Sequence, residues 1–150
     1  MNIEKLYAPE TWDPEDTFDP IVQSTFILRE AAAYIEEDAT LEYARRGNLF
    51  IAHDSRDDLI KAAAHFEPRA HLEEPEAWIH HLAVHPDFQR QGIGTEMISY
   101  FGTYCLDRRI KTIKLHPSPS SIPFYVDDNG FTLNRMGGGG YIATKKIVDI

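Results

Sequence analysis

The chain has 150 residues, of which 43% are apolar and 26% charged, a balance that suits a globular domain with its own core and excludes a disordered or fibrous polypeptide. Its 15 basic and 24 acidic residues leave a net charge of −9, which argues against nucleic-acid binding and favours a cationic partner. The single cysteine, Cys105, excludes an internal disulfide, and the charged segment Met1–Glu10 and the lack of an apolar run near ~18 residues lead us to expect a cytoplasmic protein with no membrane association.

In chain order, Ile3–Tyr7 reads as a short strand and the Pro-punctuated, acidic segment 9–16 as a loop. Apolar residues on one face over Ile21–Glu37 predict a helix, and a second helical piece, Thr40–Arg46, stops at Gly47. Leu49–His53 and Leu59–Phe66 predict an antiparallel hairpin, followed by a polar loop over Pro68–Glu76. Trp78–Val84 is an apolar strand. The helix expected over Gly94–Arg108 carries Met97, Ile98, Phe101 and Cys105 on one stripe, so Cys105 reads as core rather than nucleophile. Thr112–Leu115 predicts a strand parallel to Trp78–Val84, with that helix as the crossover. Ser121–Asp127 reads as a short helix. Phe131–Arg135 and Tyr141–Ile147 form a last strand pair about Gly137–Gly140, a turn with no helix after it and so no phosphate loop. With neither repeat nor linker, residues 1–150 read as one domain.

The stretch Val84 to Thr95 organises the rest. A strand enters it, Pro86 turns the chain, Gly92 and Gly94 sit one residue apart, and a helix leaves it. The first amides of a helix lack carbonyl partners and carry partial positive charge, which suits an anion. Glycine lets the backbone take left-handed conformations and a phosphate approach closely. Thr95 adds a hydroxyl and Arg90 a charge. Neither the dinucleotide pattern nor the Walker pattern fits, because Met97 stands where the former needs glycine and no Gly-Lys-Ser/Thr is present.

Gln89-Arg90-Gln91-Gly92-Ile93-Gly94 resembles the Q/R-x-x-G-x-G/A pyrophosphate motif of the GNAT superfamily of N-acetyltransferases. Ile122-Pro123-Phe124-Tyr125 followed by Asn129-Gly130-Phe131 is similar to that superfamily's second signature, and the two blocks stand in the right order. Residues 77 to 146 carry the resemblance, and the N-terminal half only its element order. The fold it implies is α/β (α+β): a single GNAT-like domain with a mixed, mostly antiparallel sheet, flanking helices and two splayed central parallel strands.

The resemblance implies acetyl-CoA as co-substrate, its pyrophosphate held by backbone amides of roughly Arg90 to Thr95 and its pantetheine arm by Leu82, Ala83 and Val84. Ser118 falls where members carry a small polar residue near CoA. Acetyl transfer to an amine needs a base, because an alkylamine with a pKa near ~10.4 is only about one part in a thousand neutral near pH 7.4. It also needs donors for the thioester oxyanion and an acid for the departing thiolate.

His80-His81-Leu82-Ala83-Val84-His85 resembles the histidine-bearing strand of arylalkylamine N-acetyltransferases, and the match places His80 on a proton-relay histidine. That subfamily often has a second histidine where this chain has Trp78. Strand alternation sends His80 and His81 to opposite faces, and either could instead be an ordinary strand residue. Tyr125 matches the tyrosine that faces the CoA sulfur and is the candidate acid, with packing as its competing role. Tyr125 to Gly130 spans one residue more than the superfamily commonly has. Adjacent strand histidines diverge and no cysteine or acidic ligand lies at metal spacing, so no metal site is expected.

The expected activity is N-acetylation of a small primary amine by direct attack in a ternary complex. The alternatives are acetylation of a protein or peptide amine and a non-catalytic acyl-CoA-binding module. Superfamily members often form homodimers.

Overall fold

The computed structural model describes residues 1–147. In chain order these form β1 (Asn2–Lys5), α1 (Pro20–Leu28), α2 (Glu37–Arg45), β2 (Leu49–His53), β3 (Ile60–Arg69), β4 (Glu76–Val84), α3 (Ile93–Asp107), β5 (Thr112–Leu115), β6 (Thr132–Arg135) and β7 (Tyr141–Lys146). Among the described residues the sheet has seven strands in the order β1-β2-β3-β4-β5-β7-β6. Every pairing described below is antiparallel except β4 with β5, so the mixed, mostly antiparallel α/β class is the one observed.

The chain divides into two compact units, and strands β3 and β4 and helix α3 contribute to both. The first comprises residues 1–66 and 81–97. Its antiparallel strands β1, β2 and β3 place Leu49, Ile51, Ile60 and Ala63 in a core with Ala83 of β4 and with Ile21, Ile27, Leu28 and Leu41 of the helices. Burying each large aliphatic side chain contributes about 1.5–3 kcal/mol relative to exposure. Helix α1 starts where the sequence supplies a cap: Asp19 Oδ1 accepts from Ile21 N–H at 2.8 Å, and Pro20 needs no partner at the first helical position. The buried Thr25 and Thr40 hydroxyls bond each other at 2.7 Å, tying α1 to α2.

Helix α1 ends at Leu28, well before the Glu37 expected from periodicity. Ala31–Ala33 favours helix, but Arg29 turns the chain instead. Its Nε donates to Ile35 O at 2.7 Å, and its Nη2 lies 3.5 Å and 3.6 Å from the carboxylates of Glu36 and Glu37. Helix α2 then starts with Glu37 and Asp38 in its first turn, where the dipole favours acid.

The second unit takes in residues 67–80 and those from Ile98 onward. Strand β4 pairs with β5 in parallel over Glu76–Trp78, opposite Thr112–Lys114. Beyond it, β7 pairs with β5 and with β6, and the β6–β7 turn closes through Met136 N–H to Gly140 O at 3.1 Å.

The loop expected over 68–76 is shorter, since β3 runs to Arg69 and β4 begins at Glu76. Cross-strand charges stabilise these polar strand ends. Arg69 reaches Glu76 at 3.9 Å and lies over the Trp78 ring at 5.7 Å, while Glu76 takes Lys114 Nζ at 2.8 Å.

Candidate active site

The glycine stretch lies in the first unit. At the end of β4, His85 N–H bonds Lys61 O at 2.8 Å, and the His85 ring caps the Pro86–Phe88 turn by accepting Asp87 N–H at 3.1 Å. Gln89 Nε2 then donates back to Val84 O at 3.1 Å. Arg90 and Gly92 both take left-handed conformations, with φ of 64° and 80°. The first helical hydrogen bond of α3 runs from Glu96 N–H to Gly92 O at 3.0 Å. The amides from Gly92 to Thr95 precede it and form the array that backbone anion sites use. Ile93 and Gly94 are buried, whereas Gln89, Arg90, Gln91 and Thr95 are exposed. Leu82 and Val84 are half-buried and Ala83 packs in the core, at the end of β4.

His80 and His81 take different neighbours. His80 Nε2 lies 2.8 Å from Glu67 Oε1, both groups about one-third exposed. A carboxylate can only accept here, so His80 Nε2 carries the hydrogen and donates it. Two hydrogen bonds, from Arg69 and then from His80, pull the Glu67 carboxyl down to about 2, so it is ionised at neutral pH. Glu67 went unremarked in the sequence because nothing in the 13-residue separation marks the two as neighbours. His81 belongs to a ring cluster in the first unit. Its centroid is 6.0 Å from His65, 6.5 Å from Tyr43 and 6.4 Å from Tyr34, while Tyr43 stacks on His65 at 3.7 Å. Burial, followed by the nearby Tyr34, raises the Tyr43 phenol.

Tyr125 lies in the second unit and is 6% exposed. Its ring meets Phe124 edge-on at 4.9 Å and Phe131 at 5.4 Å, and burial pushes its hydroxyl above the ordinary tyrosine range. Phe124–Asp128 is one wide π-helical turn, which holds more residues per turn than an α-helix. Phe131 N–H bonds Tyr125 O at 3.0 Å, and Asn129 Nδ2 bonds Phe124 O at 2.8 Å. The long spacing from Tyr125 to Gly130 is taken up there. Ser118 is exposed, and its hydroxyl lies 3.0 Å from that of Ser121.

Cys105 is fully buried, and desolvation pushes its thiol up to about 12, which fits a core residue. Among the described residues no group of three or more His, Cys, Asp or Glu side chains is placed to hold a metal, and no helix is long and apolar enough to cross a membrane.

The family model described as "Acetyltransferase (GNAT) family" matches residues 5–131. No curated protein sequence matches the chain. Among solved structures, Ard1 from Thermoplasma volcanium superposes with a TM-score of 0.72 at 16% identity, covering 99% of this chain and 98% of that one. The ribosomal-protein-S18-alanine N-acetyltransferase from Escherichia coli gives 0.66 at 20% identity, covering 99% and 95%. An aminoglycoside 6'-N-acetyltransferase complexed with coenzyme A gives 0.67 at 16% identity, covering 100% and 99%. At these identities the likeness is one of fold.

Proposed function

Because the chain belongs to the acetyltransferase (GNAT) family, we propose that it moves an acetyl group from acetyl-CoA to the primary amine of a small molecule, by direct attack in a ternary complex. The observation that carries this reading is the left-handed pair Arg90 and Gly92 leading into the first amides of α3, which precede its first helical hydrogen bond. Backbone donors let an acidic protein hold a polyanion without a basic surface.

In this reading the pyrophosphate lies on Arg90 to Thr95, with the side chains of Gln89 and Gln91 flanking it. The pantetheine amides bond the Leu82–Val84 edge of β4. Ser118 supplies a hydroxyl to CoA. The incoming ammonium gives a proton to His80, whose ring Glu67 orients as a positioning residue. The neutral amine attacks the thioester carbon, the carbon–sulfur bond breaks, Tyr125 protonates the departing thiolate, and the second proton of the former amine nitrogen, shed as the amide forms, restores the Tyr125 phenol. The Tyr125 phenol is neutral before transfer and so carries a proton for the thiolate formed beside it. The products are an N-acetylated amine and CoA.

The excess of acidic residues supports a cationic acceptor. Thiol release measured over a panel of small amines and peptides tests the acceptor. Faster turnover with small amines is expected, and turnover confined to peptides would replace this reading with peptide acetylation.

A further inference from the structure

A cleft of about 400 Å3 lies in the first unit, lined by none of the residues assigned a role in acetyl transfer but bordered by the turn that joins Val84 to Gln89. Helix α1 supplies Val22 and Phe26, the start of β3 supplies Leu59, and the turn after β4 supplies His85, Asp87 and Phe88. The volume falls in the range of small-molecule sites, ~300–1,000 Å3. Phe26 is 51% exposed and Leu59 38%, so apolar surface faces solvent around the opening. Isolated exposed apolar residues are ordinary, but several converging on one concave site mark a binding surface.

The polar groups narrow the ligand class. The His85 ring stands between Phe26 and Phe88, 5.4 Å from each, giving a row of three aromatic faces. The Asp87 carboxylate is 82% exposed, and His85 Nδ1, 4.0 Å away, accepts the Asp87 N–H. The Phe88 face already attracts an ammonium, since Lys61 Nζ sits 4.8 Å from its centroid. The charge of Lys61 is offset by Asp54 at 3.8 Å and Asp57 at 3.7 Å, so Asp87 is left to set the sign of the cleft. Aromatic faces beside a carboxylate attract a cation with an apolar body.

We propose that this cleft binds a small hydrophobic ammonium compound, its apolar body among Val22, Phe26, Leu59 and Phe88 and its ammonium against Asp87. This site does not depend on acetyl transfer. The test is a titration of the full chain, without acetyl-CoA, followed by backbone-amide NMR. The probes are phenethylamine, the neutral phenylpropanol and the anionic phenylpropionate.

Phenethylamine is expected to shift the amides of Phe26, Leu59, His85, Asp87 and Phe88 saturably. Phenylpropanol should bind about five-fold more weakly, as expected for one exposed ion pair plus a cation–π contact. Phenylpropionate should bind more weakly still. Asp87→Asn removes an exposed charge without touching the core and should bring phenethylamine down to the level of phenylpropanol. Phe26→Ala, also at an exposed position, should weaken both probes. Absence of saturable shifts at these residues, equal binding of amine and anion, or indifference to Asp87→Asn would each overturn the proposal.

Discussion

His80 Nε2 and Arg69 Nη2 share one oxygen, Oε1 of Glu67, at 2.8 Å and 3.2 Å. The imidazole is therefore held by an anion that a guanidinium already anchors. If His80 removes the amine proton, His80→Ala should lower kcat about 100-fold, the lower end of general-base contributions. Glu67→Gln should cost less and leave the KM for acetyl-CoA unchanged, with partial recovery in Glu67→Asp. An unchanged kcat in His80→Ala would remove it from the mechanism.

The same carboxylate predicts a dependence of stability on pH. Glu67 is drawn from its ordinary 4.5 down to about 2, so its favourable contacts are fully present above pH 4.5 and are lost as pH falls through about 2. The effect should be small because the group is one-third exposed. Denaturant titrations of wild type and Glu67→Gln should differ by a constant amount above pH 4.5 and converge towards pH 2. A gap that widens on acidification would contradict the assigned ion pair.

Tyr125→Phe keeps the ring between Phe124 and Phe131 and removes only the hydroxyl. Turnover should fall by about 100-fold while calorimetric affinity for acetyl-CoA stays within error of wild type. Equal turnover would leave Tyr125 a packing residue.

Gly92 and Gly102 should respond oppositely to alanine. A Cβ at either position meets no atom within 4 Å, so conformation alone decides the sign. Gly92 has φ of 80°, and alanine there should cost about 1–2 kcal/mol. Gly102 lies inside α3, where alanine should add about 0.5–1 kcal/mol. Thermal unfolding of the two variants reads both signs.

The features legible in the sequence were those written in local chemistry. Thr112–Leu115 is a strand to the residue, because its β-branched and apolar residues alternate between buried and half-buried positions. The turn from Val84 to Thr95 could be read because Pro86 and Gly92 act on their own backbone, but the second left-handed residue is Arg90 rather than Gly94, which lies in α3. The end of α1 could not, since Arg29 overrides the helix preference of Ala31–Ala33 through a carbonyl and two carboxylates further along. The extra residue before Gly130 was visible as a count, but its absorption into a π-helical turn depends on how Phe131 and Asn129 close that turn. Glu67 was not legible as a partner of His80, because their meeting is set by tertiary structure across 13 residues.

The most direct measurement of the central claim follows CoA thiol release and acetylated product together, with acetyl-CoA and a small primary amine. Release of one thiol per N-acetylated amine, abolished when Gly92→Glu places a carboxylate in the anion stretch, is the predicted result. Thiol release without acetylated amine across the panel, or full activity in Gly92→Glu, would contradict it.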